Sequence, residues 1–341
     1  MLTTRQENIL NLIVEGYVDT ATPLPSDTLA RHPELGVSPA TVRSEVAVLE
    51  EQGYIARLHT SAGSMPTDKA YRFYVVNLED NELPLEAYVG YNGKRRLTEA
   101  QRDLEEWARV AAAILSNIVG NMAIATFPRA TESRIRHVEV VWLQEVLALV
   151  IVVLEHGRLR RQLIRFDTPP DHMDFERSTN RIRHVIEGHT KREIDSLELV
   201  LSPTEHILLD TTQDILSEED TGVYHHHYLD GLRNLLMQPE FEEHDLVRPV
   251  VEAVEDGSLA QAILDEVPPE GVSVKVVIGH ENKDNVLQPL SLVVAQYGIP
   301  GEVVGAIGAI GPTRMQYSRT ISGVRAMTAV MNEMAEGVLN Y

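Results

Sequence analysis

Along the first eighty positions the apolar residues fall into helical stripes separated by short polar breaks. Ile9, Ile13 and Tyr17, with Leu10 and Val14 beside them, mark one face of a helix over about residues 4–19. A second helix starts at Ser26. A third starts visibly at Ser38, a good N-cap, with Pro39 at the first helical position, where a missing N–H costs nothing. Within it Val42, Val46 and Leu49 recur at i, i+4 and i+7 and face inward, while Ala40, Ser44 and Ala47 point the other way, flanked by Thr41 and Arg43. Residues 54–58 then alternate like a strand, and 59–64 form a polar turn. Thr67-Asp68-Lys69 opens a further helix striped by Tyr71, Tyr74, Val75 and Leu78, aromatics better suited to a core than to base stacking. Helix, turn, helix and β-wing is the order of a winged helix.

The remaining pattern predicts a sheet domain with an interruption. Residues 79–96, with Pro84, Gly90 and Gly93, have the composition of a linker. A helix follows over about 98–121, with Leu104, Ala108, Ala111 and Leu115 on its buried side. Strand-like runs occupy 138–143, 146–154 and 159–166, and the chain is then mainly helical to about 264, apart from a β-prone stretch at 223–229. Strands return at 272–279, 290–296 and 303–310, and a helix closes the chain from about 314 to 339. An isolated three-stranded sheet has two exposed edges, so the two sets of strands are expected to pair in one sheet carrying an insertion. No internal repeat and no low-complexity segment is present.

Chemistry enters through the third helix. Small outward residues let a helix sit deep in the major groove, and an arginine there can bond a guanine edge through two donors. Arg43 is the first choice for base contact, with Thr41 and Ser44 supporting it. Ser38 with the helix N-terminus, and Arg57, His59, Thr60 and Ser61 of the wing, are expected at phosphates or in the minor groove. The same pattern also suits a small helical domain that packs against protein.

Composition narrows the kind of DNA binding. The 341 residues allow two or three domains, and 43% apolar content is ordinary for a folded chain. With 30 basic against 51 acidic residues, net −21, the chain is no general DNA coater. Even its first 78 residues carry six Lys/Arg against nine Asp/Glu, so binding must come from a few placed cations and base contacts, doubled by dimerisation. The absence of cysteine excludes disulfides and thiol chemistry. The start of the chain runs into an amphipathic helix rather than a signal sequence, and the most apolar run, 146–154, is too short to span a bilayer. A cytoplasmic protein, nucleoid-associated when bound to DNA, is expected.

Four other features read as structure. In a strand, His225 and His227 share a face, but the His225-His226-His227 run lacks the fuller ligand set of a metal site, so no metal is expected. The glycine-rich run 305–312 lacks the ending of a phosphate-binding loop and suits close packing within a strand, with Pro312 ending it. His280 and Glu281 have no nucleophile or partner carboxylate at a recognisable spacing, so no enzyme and no cofactor are expected. Met327, Met331, Met334 and Val338 recur at helical spacing as core or interface.

Residues 2–6 (Leu-Thr-Thr-Arg-Gln) before an apolar helix, 38–43 (Ser-Pro-Ala-Thr-Val-Arg), 59–63 (His-Thr-Ser-Ala-Gly), 278–282 (Ile-Gly-His-Glu-Asn) and 310–317 (Ile-Gly-Pro-Thr-Arg-Met-Gln-Tyr) resemble, in this order, the motifs of the heat-inducible transcription repressor HrcA family. The resemblance runs over essentially the whole chain. It implies an α+β multidomain fold: a winged-helix DNA-binding domain (1–80), a linker (81–97), and a GAF-like α/β domain in two parts (98–168 and 266–341) around a mainly helical inserted dimerisation domain (169–265). It further implies a homodimer on double-stranded DNA carrying an inverted-repeat (CIRCE) operator upstream of chaperone genes, with modulation by the GroEL chaperonin. Three places depart from the pattern: Ser64 in place of an arginine, Pro25-Ser26-Asp27 in place of a Gly-Ser-Arg type sequence, and Ser44 in place of an asparagine. The first two remove expected phosphate contacts and so bear on operator affinity and on the operator sequence itself. A regulator answering a small molecule in its α/β domain is the alternative, and an enzyme using the winged helix only to bind protein is a more distant one.

Overall fold

A computed structural model describes residues 2–33, 35–57, 63–78, 85–100, 104–126, 129–130, 132–155, 159–220, 227–242, 244–269, 273–299 and 303–339. It is an α+β chain of two compact units. One holds Met1–Pro128, His226–Gly298 and Gly305–Val338; the other holds Arg129–His225, Ile299–Val304 and Leu339–Tyr341.

The N-terminal segment of the first unit contains α1 (Thr4–Thr20), α2 (Ser26–Ala30), α3 (Pro39–Glu51), β1 (Ile55–Ala56), β2 (Met65–Pro66) and α4 (Asp68–Val76). Its core is the stripe read from the sequence: Ile9, Leu10, Ile13, Val14, Val42, Val46 and Leu49 are all fully buried. β1 and β2 pair antiparallel, Ile55 opposite Pro66 and Ala56 opposite Met65. Ser26 is not a cap, because Pro25 occupies the N-cap position of α2 and makes no side-chain bond there.

Residues 85–97 of the expected linker are helical, while 79–84 lie outside the described residues. α5 (Leu85–Ala100) is broken at Gly90, where φ is 64°. After the break Gly93, Leu97 and Ala100 recur at i, i+4 and i+7 and are buried, a stripe that the flanking turn residues hid. α6 (Leu104–Val119) then packs on β3 (Met122–Thr126).

The second unit follows β4 (Arg129–Ala130) with a meander of β5 (Ile135–Gln144), β6 (Leu147–Leu154) and β7 (Leu159–Arg165), then α7 (His172–Ile186), α8 (Lys191–Asp195) and α9 (Pro203–Asp220). β5–β6–β7 is a three-stranded sheet of its own. This corrects the expectation that these runs pair with the C-terminal strands. The physical reason lies in local burial. Val138, Val140, Ala148, Val150, Val152 and Ile164 on one face meet Phe175, Ile182 and Ile186 of α7 and Leu208, Ile215 and Leu216 of α9, so hairpin-connected strands complete a core without distant partners. The compact unit accordingly begins well before the expected insertion at 169 and ends before 265.

The chain then returns to the first unit through β8 (His227–Asp230), α10 (Leu232–Leu236), α11 (His244–Glu255), α12 (Ser258–Leu264), β9 (Lys275–Ile278), β10 (Leu290–Ile299), β11 (Val303–Pro312) and α13 (Tyr317–Leu339), with Ile299–Val304 counted in the second unit. The sheet order is β8–β3–β11–β10–β9, with β4 pairing Val303 and Val304. The glycine-rich strand is packing, as read. A Cβ on Gly305 would lie 2.4 Å from the Tyr297 ring, and one on Gly308 would lie 2.6 Å from Val294 Cγ1. Met327, Met331 and Met334 of α13 are buried. No helix among the described residues is long and apolar enough to cross a membrane.

Candidate nucleic-acid interface

The N-terminal motif fixes α1 and ties it to α3. Thr3 and Gln6 form a reciprocal capping box, with Thr3 N donating to Gln6 Oε1 at 2.9 Å. The Gln6 side chain is buried and donates to Glu45 of α3 at 2.9 Å, and Arg5 reaches the same carboxylate at 3.5 Å. At the start of α3, Ser38 Oγ accepts from Thr41 N at 3.2 Å and shares a 3.0 Å contact with the Thr41 hydroxyl. Ala40, Arg43, Ser44 and Ala47 lie on the exposed side of the helix, opposite its buried stripe.

Arg43 has a partner that sequence reading missed. Its Nη2 donates to Asp27 Oδ1 of α2 at 2.8 Å, with both side chains about two-thirds exposed. Asp27, one of the departures named above, thus sets an anion against the expected base-reading cation. Arg57 is likewise engaged, 3.4 Å from Glu50 and mostly covered. Ser64 is another of the departures. It is 1% exposed, so its side chain faces the interior and not a phosphate. Its backbone exchanges two hydrogen bonds with Leu24, at 2.8 and 3.0 Å, pinning the base of the turn to the α1–α2 connection. Gly63 is needed beside it, because a Cβ would lie 2.4 Å from Pro23 O. His59, Thr60 and Ser61 lie outside the described residues.

Lys69 is a further cation that the sequence did not single out. Its Nζ donates to Gln52 O at the end of α3 and sits 4.3 Å above the Tyr54 ring. Tyr71 is buried, and burial together with Glu15 pushes the Tyr74 hydroxyl up to about 12, so both tyrosines are neutral packing groups. Among the described residues no group of three metal-ligating side chains occurs. His225 and His226 lie outside them, and His227 starts β8 opposite Thr126.

A family profile described as "HrcA protein C terminal domain" matches residues 105–321. The heat-inducible transcription repressor HrcA of Dehalococcoides mccartyi (strain ATCC BAA-2266 / KCTC 15142 / 195) is 37% identical over 98% of this chain and 96% of its own length. The chain belongs to the HrcA family. The HrcA repressors of Herpetosiphon aurantiacus and Chloroflexus aggregans are 34% and 31% identical, over 98% and 99% of the chain and 95% and 94% of their own lengths respectively. A crystal structure of a hypothetical protein matches with a TM-score of 0.59 at 21% identity, over 99% of this chain and 98% of that one, a likeness of fold.

Two of the motifs that carried the HrcA resemblance, at 278–282 and 310–317, lie far from the N-terminal segment in sequence and against it in space. His280 N and Nδ1 contact Asp68 Oδ2 at 2.9 and 2.8 Å, and Arg314 Nη1 donates to Val18 O at 2.9 Å. Their residue types gave no hint of a partner, because each contact needs the tertiary fold to bring it about.

Proposed function

We propose that this chain is a sequence-specific DNA-binding repressor of chaperone genes that acts in the cytoplasm as a homodimer on an inverted-repeat, CIRCE-type operator, with its activity modulated by the GroEL chaperonin. One observation carries the reading: α3 buries Val42, Val46 and Leu49 and offers solvent a face of small residues with Arg43 among them, in a chain of a repressor family. In this reading residues 1–80 are a winged helix and α3 enters the major groove. Arg43 reads a base, Thr41 and Ser44 support it, and Ser38 with the N-terminus of α3 meets a phosphate. Arg57, His59, Thr60 and Ser61 meet phosphates or the minor groove.

A palindromic operator calls for two copies related by a two-fold axis. The sheet of the second unit supports such a pairing. On the face away from α7 and α9, Val141, Leu149 and Leu163 stand in one cross-strand row and Val153 and Leu159 in another. Val141, Leu159 and Leu163 are exposed in the single chain, Leu163 to 59%. We assign this face to a second copy, which makes the second unit the inserted dimerisation domain and the sheet of the first unit the GAF-like domain. The same face, uncovered in a separated protomer, is apolar surface that a chaperonin can hold.

Selection of operators from random DNA by the purified protein tests the DNA reading, with an enriched inverted repeat as the expected result. Mild heating followed by GroEL with ATP, against GroEL without nucleotide, tests the chaperonin link. Operator binding is expected to fall on heating and to recover only with ATP. Equal recovery without chaperonin removes that link.

A further inference from the structure

We propose that the turn after β9 and the start of α13 form a seat for the N-terminal segment, and that Arg72 and Arg314 are positioning residues for DNA binding. The inference rests on the DNA reading above and concerns how the reading helix is held, not what it touches.

The seat grips at two places. On α4, Asp68 accepts from the backbone N–H of His280 and faces its ring Nδ1, at 2.9 and 2.8 Å. Gly279 makes room for that carboxylate: its φ is +52°, and a Cβ there would lie 2.2 Å from Asp68 Oδ2. One turn along, Arg72 donates through Nε to Glu281 Oε1 at 2.8 Å and through Nη2 to Glu281 Oε2, and Nη2 also bonds Val276 O at 2.7 Å. Glu281 is itself held by Ile278 N at 2.9 Å, and Asn282 braces the turn by donating to the carbonyls of Gly279, Leu287 and Leu290.

The second grip is on α1. Arg314, 11% exposed, caps the open end of that helix by donating to Val18 O, while Nη2 bonds Gln238 Oε1 at 2.9 Å and Nε lies 2.5 Å from Glu240 Oε1. Between the grips the Tyr71 and Tyr317 rings pack with centroids 5.8 Å apart, both buried. The bidentate Arg72–Glu281 pair on α4 and the Arg314 bond to the end of α1 engage two helices at once. Such contacts fix an orientation.

Ala40, Arg43, Ser44 and Ala47 remain exposed with the seat occupied, so docking leaves the reading face open and is compatible with DNA. A head held in one orientation raises the effective concentration of the second half-site at the matching spacing and lowers it elsewhere. A loosely tethered head spreads it over many spacings.

The test uses the full-length protein with Arg72→Gln and Arg314→Gln together, and separately Glu281→Gln, which changes the seat and leaves the N-terminal segment intact. The chain has no cysteine, so Asn8→Cys, at an exposed position on α1, gives one labelling site per protomer. Fluorescence anisotropy decay of that label is expected to follow whole-molecule tumbling in the parent protein and to gain a fast component in both variants. Moving the half-sites apart by about 5 base pairs, half a helical turn, should cost the parent about tenfold or more in affinity and the variants about threefold or less. Affinity for an isolated half-site should stay within about twofold, which separates positioning from loss of fold. Unchanged anisotropy, unchanged spacing discrimination, or an equal loss on the isolated half-site overturns the proposal. A fast component in the variants, with no inverted repeat bound even by the parent, keeps the seat as a structural contact, removes its role on DNA and removes the DNA reading with it.

Discussion

Arg43 and Asp27 decide the most at the scale of single residues. An exposed ion pair of this kind contributes about 0–1 kcal/mol, whereas a bidentate arginine–guanine contact discriminates by about 1–3 kcal/mol, so DNA can draw Arg43 away from Asp27 at a net gain. Arg43→Ala is expected to cost about 1–3 kcal/mol in operator binding and to relax preference at one base pair per half-site, read by titration against single-base operator variants. Asp27→Asn should act in the opposite sense. With no pair to break and one anion fewer facing the backbone, affinity for DNA of any sequence rises and the salt dependence of binding steepens. A buried carboxylate gives a pH test of the fold. Burial would raise the pKa of Glu266, but Lys275 at 2.6 Å and Lys283 at 3.4 Å outweigh it and hold the carboxyl below its ordinary range. The stabilisation is therefore present above the unfolded glutamate range and is lost as pH falls through the lowered folded value. Glu266→Gln should lower Tm at neutral pH, with the gap to the parent protein closing under acid.

Among the elements, α3 shows what a stripe is worth. Leu49 is fully buried, so Leu49→Ala should destabilise the N-terminal segment by about 2–5 kcal/mol in denaturant titration, while Ala47→Ser on the exposed side should leave it unchanged. The stripe, the Ser38 cap and the packing role of Gly305 and Gly308 could be read from the sequence because each depends on neighbours within a few residues or on the residue type itself. The partners of the strands could not. A period of two tells which face of β5, β6 and β7 is buried but not what lies across it, and Val138–Phe166 accordingly looked equally able to join a distant sheet. β3 has no such mark because Met122–Thr126 is short, two of its five residues are alanine, and it is buried throughout with no alternation. In the candidate interface the exposed side of α3 was legible, whereas Asp27 beside Arg43, Glu50 beside Arg57 and the inward turn of Ser64 are set by how α2, α3 and the β1–β2 ladder meet.

At the scale of the whole molecule, the proposed reading segment belongs to one compact unit and the proposed assembly face to the other. Leu163→Glu places a charge in the apolar outer row of β5–β7 without touching the buried side, and sedimentation is expected to show monomers that retain the parent's circular dichroism. Such a protein should bind an isolated half-site as before and lose the gain from the second. The central claim is that α3 of a paired chain reads an inverted repeat through Arg43. Selection from random DNA, run side by side on the parent protein and on Arg43→Ala, tests it most directly. The account predicts an inverted repeat from the parent and the same repeat with one base pair per half-site degraded from the variant. An unrepeated motif, no enrichment at all, or an identical preference from both proteins would contradict it.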